Sequence, residues 1–166
     1  MTELPSLFVS HGAPTLYLSD EPAARFLREL GSDLPRPEAI VVVSAHTESP
    51  EVVVGGARTP ETIHDFYGFP KELYEHRYPA KGAPGLAARV VGRLKEAGVA
   101  ARLDPNLGLD HGAWVPLTLM YPDADVPVVP VSLVEDAAPA EHLAVGAALR
   151  PLREEGVLIL ASGAAT

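Results

Sequence analysis

The sequence predicts an α/β protein, a single three-layer domain in which helices flank a mostly parallel central sheet. Two apolar runs, residues 7–11 and 39–46, are continuous rather than alternating, which is typical of parallel strands buried on both faces. Predicted strands alternate with predicted helices along the chain, as in α/β proteins. A chain of 166 residues with 47% hydrophobic residues is long enough to bury one full core.

The helices are predicted from their end signals and apolar stripes. The first begins at the acidic turn that holds Pro22, and Gly31 is expected to end it, since glycine is common directly after a helix. Gly98 and Gly156 are expected to end two later helices in the same way. In chain order, helices are predicted over residues 20–30, 71–76, 84–97, 113–121 and 139–155.

The strands are predicted from short apolar runs between these helices. Pro130 lies within one of them and indicates an edge strand or a bulge, because proline cannot donate a hydrogen bond to a neighbouring strand. In chain order, strands are predicted over residues 7–11, 39–46, 51–54, 99–103, 127–133 and 157–160.

Composition and charge argue against several classes of function. A net charge of −9 disfavours nucleic acid or an anionic membrane as a partner. The chain contains no cysteine, so any metal has to be held by His, Asp or Glu. It has no apolar run of the roughly 20 residues that span a bilayer and no basic signal-peptide start, so we expect a cytoplasmic location.

Four of the six histidines lie beside a small residue or an acid where the chain is expected to turn. They are His11, His46, His64 and His111. The first two end predicted parallel strands, and the carboxyl ends of such strands share the edge of the sheet where ligands bind. Asp65 and Asp110 adjoin the other two and are the acids expected to orient them. We therefore predict one shared site, while the remaining two histidines are interpreted as surface or core residues.

Such a set of side chains has a limited chemistry. Two or three imidazoles with a carboxylate and open positions are typical of a non-haem Fe(II) oxygenase or of a catalytic zinc site. Histidines beyond the ligands would transfer protons near neutral pH. Aromatic residues in the long loop 59–83 and at position 114 suit a flat apolar substrate, although plain core packing explains them as well. These residues are Phe66, Tyr67, Phe69 and Trp114.

Four motifs contain the four histidines: SHGAP (10–14), SAH (44–46), TIHDFYGFP (62–70) and LDHGAWVPL (109–117). In the same order, they resemble the motifs of the class III extradiol ring-cleavage dioxygenases, most closely the DOPA 4,5-dioxygenase-like branch. The resemblance implies a single α/β catalytic domain over residues 1–166 and a divalent metal, Fe(II) for activity, with Zn(II) as the other candidate. It also implies a reaction that inserts both atoms of O₂ into a catechol ring next to the diol.

The resemblance also implies roles for individual residues. His11 and His46 match the first two metal-binding histidines of the family. His64 and His111 match pocket histidines near the metal and are the expected catalytic residues, with His111 transferring a proton with the bound catechol. The substrate pocket would be shaped by Asp65, Phe66 and Trp114.

The sequence departs from the family pattern at its last strand. In the family this strand leads into a Gly-Ser-Gly turn followed by His-Asn, and that histidine belongs to the active site. Here the corresponding residues 161–166 read ASGAAT. We therefore expect the chain to lack a C-terminal part that supplies further metal-site residues.

Three hypotheses follow for the function. The first is a metal-dependent extradiol dioxygenase whose partners are a small catechol and O₂. The second is a zinc-binding relative with a hydrolytic or ligand-binding role, since the same histidines suit zinc. The third is an inactive α/β fragment. The sequence contains no dinucleotide, Walker or nucleophile-elbow motif that would favour another chemistry.

Overall fold

A computed structural model describes residues 3–164 of the chain. Its centre is a six-stranded sheet in the order β1-β6-β2-β5-β3-β4. The strands are β1 (Ser6–Ser10), β2 (Ala39–Ser49), β3 (Val52–Gly55), β4 (Ala101–Asp104), β5 (Val128–Val134) and β6 (Val157–Gly163). The α-helices are α1 (Pro22–Asp33), α2 (Lys71–Glu75), α3 (Pro84–Glu96), α4 (His111–Met120) and α5 (Pro139–Leu149). Two 3₁₀ helices cover Pro14–Leu18 and Arg150–Glu155.

Most of the sheet is parallel. The β1/β6, β6/β2, β2/β5 and β3/β4 pairs run parallel, and only the β3/β5 pair is antiparallel among the described strands. The predicted α/β class with a mostly parallel sheet is therefore confirmed.

Helices cover the sheet on both faces, which gives the three layers. On β2 the side chains alternate, so that Ile40 and Val42 enter one core and Val41 the other. The first core is closed by α1 and α4, and the second by α3 and α5. None of the described helices is long and apolar enough to cross a membrane.

Gly31 does not end the first helix, so this prediction was wrong. The helix α1 continues to Asp33. A Cβ atom at Gly31 would lie 2.2 Å from the backbone oxygen of Met120. The glycine is required there because α1 and α4 approach one another backbone to backbone.

Pro130 does not mark an edge strand. β5 lies inside the sheet between β2 and β3. The proline is tolerated because β5 pairs with β3 at a single position, Val54 with Val131. Beside that position, a Cβ atom at Gly55 would lie 2.5 Å from Cγ of Pro130.

Other predicted boundaries also change. The second strand continues past His46 to Ser49. The helix predicted over residues 139–155 is α-helical only to Leu149, because Pro151 cannot donate the next hydrogen bond and the chain tightens into a 3₁₀ helix. Gly156 ends this segment with a φ of 74°, as expected for a glycine at a helix end.

Candidate metal centre

Three histidines meet where β1 and β2 leave the sheet and α4 begins. They are His11, His46 and His111, and one nitrogen of each lies within 4.8 Å of those of the other two. The Nε2 atoms of His11 and His46 are 3.0 Å apart. The ring centroids of His46 and His111 are separated by 4.0 Å and those of His11 and His111 by 5.2 Å.

His11 is the first residue after β1, and Gly12 turns the chain directly behind it with a φ of 60°. The ring is almost completely buried, with 4% of the residue exposed. Its Nδ1 atom is hydrogen-bonded to Oγ of Ser162 at 2.8 Å. Because β1 and β6 are neighbours in the sheet, Ser162 lies behind His11 and leaves Nε2 directed at the other two histidines.

His46 lies in the irregular part of β2. Pairing with β6 ends at Ser44, and pairing with β5 is interrupted between Val43 and Glu48. The backbone N–H of His46 donates to Oγ of Ser44 at 3.2 Å. The His46 side chain is 40% exposed, so the cluster is open to solvent on this side.

His111 is the first residue of α4, and Asp65 fixes its orientation. The backbone N–H of His111 donates to Oδ1 of Asp65 at 2.9 Å, and Nδ1 lies 2.8 Å from Oδ2. An ionised carboxylate only accepts hydrogen bonds, so Nδ1 carries the proton. In the neutral ring this leaves the lone pair on Nε2.

Asp110 is the N-cap of α4 and also joins the helix to β2. Its Oδ1 atom accepts from Oγ of Ser44 at 2.6 Å and from the N–H of Ala113 at 3.1 Å. Its Oδ2 atom accepts from Oγ1 of Thr47. The predicted orienting acid therefore contacts the strand on either side of His46, rather than the ring of His111.

The electrostatics of the centre favour the neutral form of His11. Burial lowers the pKa of His11 to about 4, with further lowering by His111 and His46. Burial alone would raise the pKa of Asp65, but hydrogen bonds from the ring and backbone of His111 outweigh it, and the pKa is lowered. A neutral imidazole is the form that binds a metal.

The three histidines fit a divalent metal ion. Two nitrogens that bind a tetrahedral ion at about 2.0–2.1 Å are about 3.3 Å apart, close to the 3.0 Å between His11 and His46. Ser162 and Asp65 occupy the opposite ring nitrogens of His11 and His111, which is the usual way in which proteins orient metal-binding imidazoles.

His64 lies outside this cluster. Its Nε2 atom is 3.1 Å from the backbone oxygen of His76 and 3.3 Å from Nη1 of Arg77. Phe66 packs against both histidines, with its ring centroid 5.8 Å from those of His64 and His111. The expected catalytic role of His64 and the pocket role of Phe66 stay predictions.

Trp114 is fully buried in the core. Its Nε1–H donates to the backbone oxygen of Ile63 at 3.0 Å, which anchors the loop that carries His64 and Asp65. It therefore supports the predicted pocket from behind, and its role as a pocket residue stays a prediction. Tyr67, in contrast, is 93% exposed.

Sequence reasoning missed Ser162 and the strand contacts of Asp110. Ser162 lies near the end of β6, and the signal that could have identified it is its position at the same edge of the sheet as His11 and His46. The order of the strands is needed to recognise that signal.

An α/β fold that brings three imidazoles together at the carboxyl ends of parallel strands defines a protein with a histidine metal centre as its candidate active site. Residues 5–166 match the family described as the catalytic LigB subunit of aromatic ring-opening dioxygenase, and the chain belongs to this family.

Several relatives carry names that agree with this membership. The chain is 47% identical over 163 residues to the 4,5-DOPA dioxygenase extradiol of Escherichia coli K12, covering 98% of this chain and 59% of the relative. It is 43% identical over 165 residues to the protein of the same name from Beta vulgaris, covering 97% of this chain and 62% of the relative. The chain thus spans about three fifths of the length of these relatives.

A solved structure shares the fold. The crystal structure of an uncharacterized protein from Escherichia coli K12 superposes with a TM-score of 0.79 at 40% identity. The match covers 96% of this chain and 59% of that chain.

Proposed function

We propose that this chain is the part of a metal-dependent extradiol dioxygenase that holds the first metal ligands and opens the ring of a catechol with O₂. The observation that carries the proposal is the meeting of three imidazole nitrogens within 4.8 Å at an open edge of the sheet. Membership of the ring-opening dioxygenase family supports it, as do the names of the relatives. The domain would extend over residues 1–166.

In this proposal His11 and His46 hold the metal, and Fe(II) is the ion that supports activity. When bound, Fe(II) supplies a centre at which the two catechol oxygens and O₂ are held side by side. Both oxygen atoms enter the product, and one ring carbon–carbon bond next to the diol breaks.

His111 is the proposed acid and base. Its Nε2 lone pair would accept a phenolic proton from the catechol, and the ionised Asp65 on Nδ1 would stabilise the resulting imidazolium. The same nitrogen would later return the proton to the ring-opened product. The buried rings of His11 and His111 leave the side of the exposed His46 as the approach for the substrate.

His64 and Phe66 would form the wall on the loop side of the substrate, with the buried Trp114 behind it. The Phe66 ring packs nearly at right angles to the His111 ring, so a flat catechol bound at the centre would lie against an apolar surface. His64 is proposed as a second polar contact for the substrate at the outer end of this wall. A cytoplasmic location and the lack of nucleic-acid or membrane partners stay predictions from the sequence.

The experiment loads the full-length enzyme that contains this chain anaerobically with Fe(II), adds catechol or DOPA in air, and follows O₂ uptake and the yellow colour of the ring-opened product. We expect activity in the wild type, loss in His46→Gln and His111→Gln, and no change in the matched control His142→Gln on α5. The proposal fails if the iron-loaded full-length enzyme consumes no O₂ with either substrate.

A second function is a zinc-binding relative with a hydrolytic or ligand-binding role. The observation that favours it is that His111 lies close enough to complete a set of three imidazoles, the donor set of one class of catalytic zinc sites. Metal analysis of anaerobically purified protein tests it. Tightly bound zinc, together with no catechol oxidation after exchange for iron, would support this second function.

A further inference from the structure

We propose that the side-chain tie from Thr47 and Ser44 to Asp110 is a positioning device that sets the spacing of His46 and His111, with Thr47 as a positioning residue for metal binding. This inference rests on the proposed metal site and extends it to residues that touch neither the metal nor the substrate.

The first step concerns what holds His46 in place. Strand pairing stops at Ser44 on the β6 side, and on the β5 side it is interrupted between Val43 and Glu48. His46 therefore lies on a segment whose position is not set by a continuous backbone ladder. The two hydroxyls that flank it, those of Ser44 and Thr47, instead donate to the two oxygens of one carboxylate.

The second step concerns the carboxylate. Asp110 is 5% exposed and also accepts the N–H of Ala113, so it is fixed to the first turn of α4. His111 is the next residue. A movement of the strand segment relative to Asp110 is thus a movement of His46 relative to His111.

The third step concerns the contact itself. At Gly112 an added Cβ atom would lie 2.4 Å from Oγ of Ser44 and 3.0 Å from Cδ2 of His46. The helix start and the strand segment are therefore in direct contact, with the His46 and His111 rings 4.0 Å apart. This contact prevents the strand from moving closer to α4 at Ser44. On the other side of His46, the hydrogen bond from Thr47 to Asp110 holds the strand to the helix.

The test measures binding of Co(II) to the metal-free chain by its visible absorption, which reports both the affinity and the geometry of the ligands. Thr47→Val keeps the branched shape and removes the hydroxyl, whereas Thr47→Ser keeps the hydroxyl. We expect Thr47→Val to weaken Co(II) binding about 10- to 100-fold and to change the spectrum, as for other groups that orient metal ligands. Thr47→Ser should bind nearly as the wild type does.

The control is Ser132→Ala. Ser132 is another buried hydroxyl that joins two strands, accepting from the N–H of Val53 at 2.9 Å. It lies on β5 beside the irregular part of β2, but this bond goes to β3 rather than to Asp110. Its removal should lower the unfolding temperature without changing Co(II) affinity.

Two results would overturn the inference alone: wild-type affinity and spectrum in Thr47→Val, or equal weakening in Ser132→Ala. A wild-type chain that binds no Co(II) would instead overturn the proposed metal site and this inference with it.

Discussion

At the scale of single residues, the centre depends on how each ring nitrogen is occupied. Nδ1 of His11 is hydrogen-bonded to a hydroxyl, whereas Nδ1 of His111 is hydrogen-bonded to a carboxylate. The two partners differ in whether they determine which ring nitrogen carries the proton. The carboxylate determines the tautomer because it only accepts, while the hydroxyl of Ser162 can donate or accept. His111 is thus the histidine whose lone pair has a defined position, which suits the residue proposed to transfer the proton.

Asp65→Asn tests this assignment. The amide would place an N–H₂ group against Nδ1 of His111, which favours the tautomer with the proton on Nε2. That nitrogen could no longer accept a proton, so we expect the ring-opening rate to fall by about 10²- to 10⁴-fold. The measurements are steady-state O₂ uptake and ¹⁵N NMR of the His111 tautomer.

The matched control is Asp104→Asn. Asp104 also accepts a backbone N–H, that of Asn106 at 2.8 Å, but it lies on β4 at the opposite edge of the sheet from β1. Its replacement should leave the rate unchanged. An Asp65→Asn variant that retains the wild-type rate would remove His111 from the proposed role.

His76 gives a prediction for pH. Its ring packs between Tyr17 and Trp114, with centroids at 4.5 and 4.9 Å, and burial, His64 and Arg77 together lower its pKa below the ordinary 6.5. As the pH falls below about 6.5, His76 is therefore protonated in the unfolded chain before it is protonated in the folded chain. The free energy of unfolding should therefore decrease as the pH falls from about 6.5, until the pH is below the pKa of His76 in the folded chain.

The measurement for His76 is the free energy of unfolding of the metal-free chain between pH 7 and 4, compared with His76→Phe, which keeps the ring. The part of the pH dependence that belongs to His76 should disappear in the variant. Identical pH profiles for the two proteins would contradict the assignment.

At the scale of elements, the sequence predicted most strands and helices but not the reasons for individual glycines and prolines. Gly98 and Gly156 end their segments with φ of 78° and 74°, as predicted. Gly31 was interpreted in the same way, yet it lies within α1 and serves a close helix contact. The two cases look alike in sequence, because the contacting residue, Met120, belongs to a distant helix.

Gly31→Ala measures that contact. The added methyl group would meet the backbone of Met120, which cannot move without displacing α4, so we expect a loss of about 1–3 kcal/mol in the free energy of unfolding. Gly92→Ala in α3 is the control, because its Cβ would meet no atom within 4 Å. That variant should gain about 0.5–1 kcal/mol. Equal effects in denaturant unfolding would contradict the role of Gly31.

At the scale of the whole molecule, the sheet order assembles the centre. β1 and β6 are neighbours although His11 and Ser162 are 151 residues apart. The sequence was sufficient to predict that His11 and His46 share an edge, since both follow apolar strands. It could not identify Ser162 as the partner of His11, because strand order is a property of the packed sheet and leaves no local pattern.

The last prediction follows from this assembly. A metal held by His11 and His46 joins β1 and β2, and the unfolded chain does not bring these residues together, so the ion should stabilise the whole fold. At a free Zn²⁺ concentration of 100 times Kd, binding to the folded state adds about 2.7 kcal/mol, which raises Tm by about 5–10 °C for a chain of this size. Thermal unfolding with and without Zn²⁺ checks this: His46→Gln should lose the shift and His142→Gln should keep it. An equal shift in His46→Gln and the wild type would mean that Zn²⁺ binds elsewhere, because a site that uses His46 as a ligand loses affinity when the imidazole is removed.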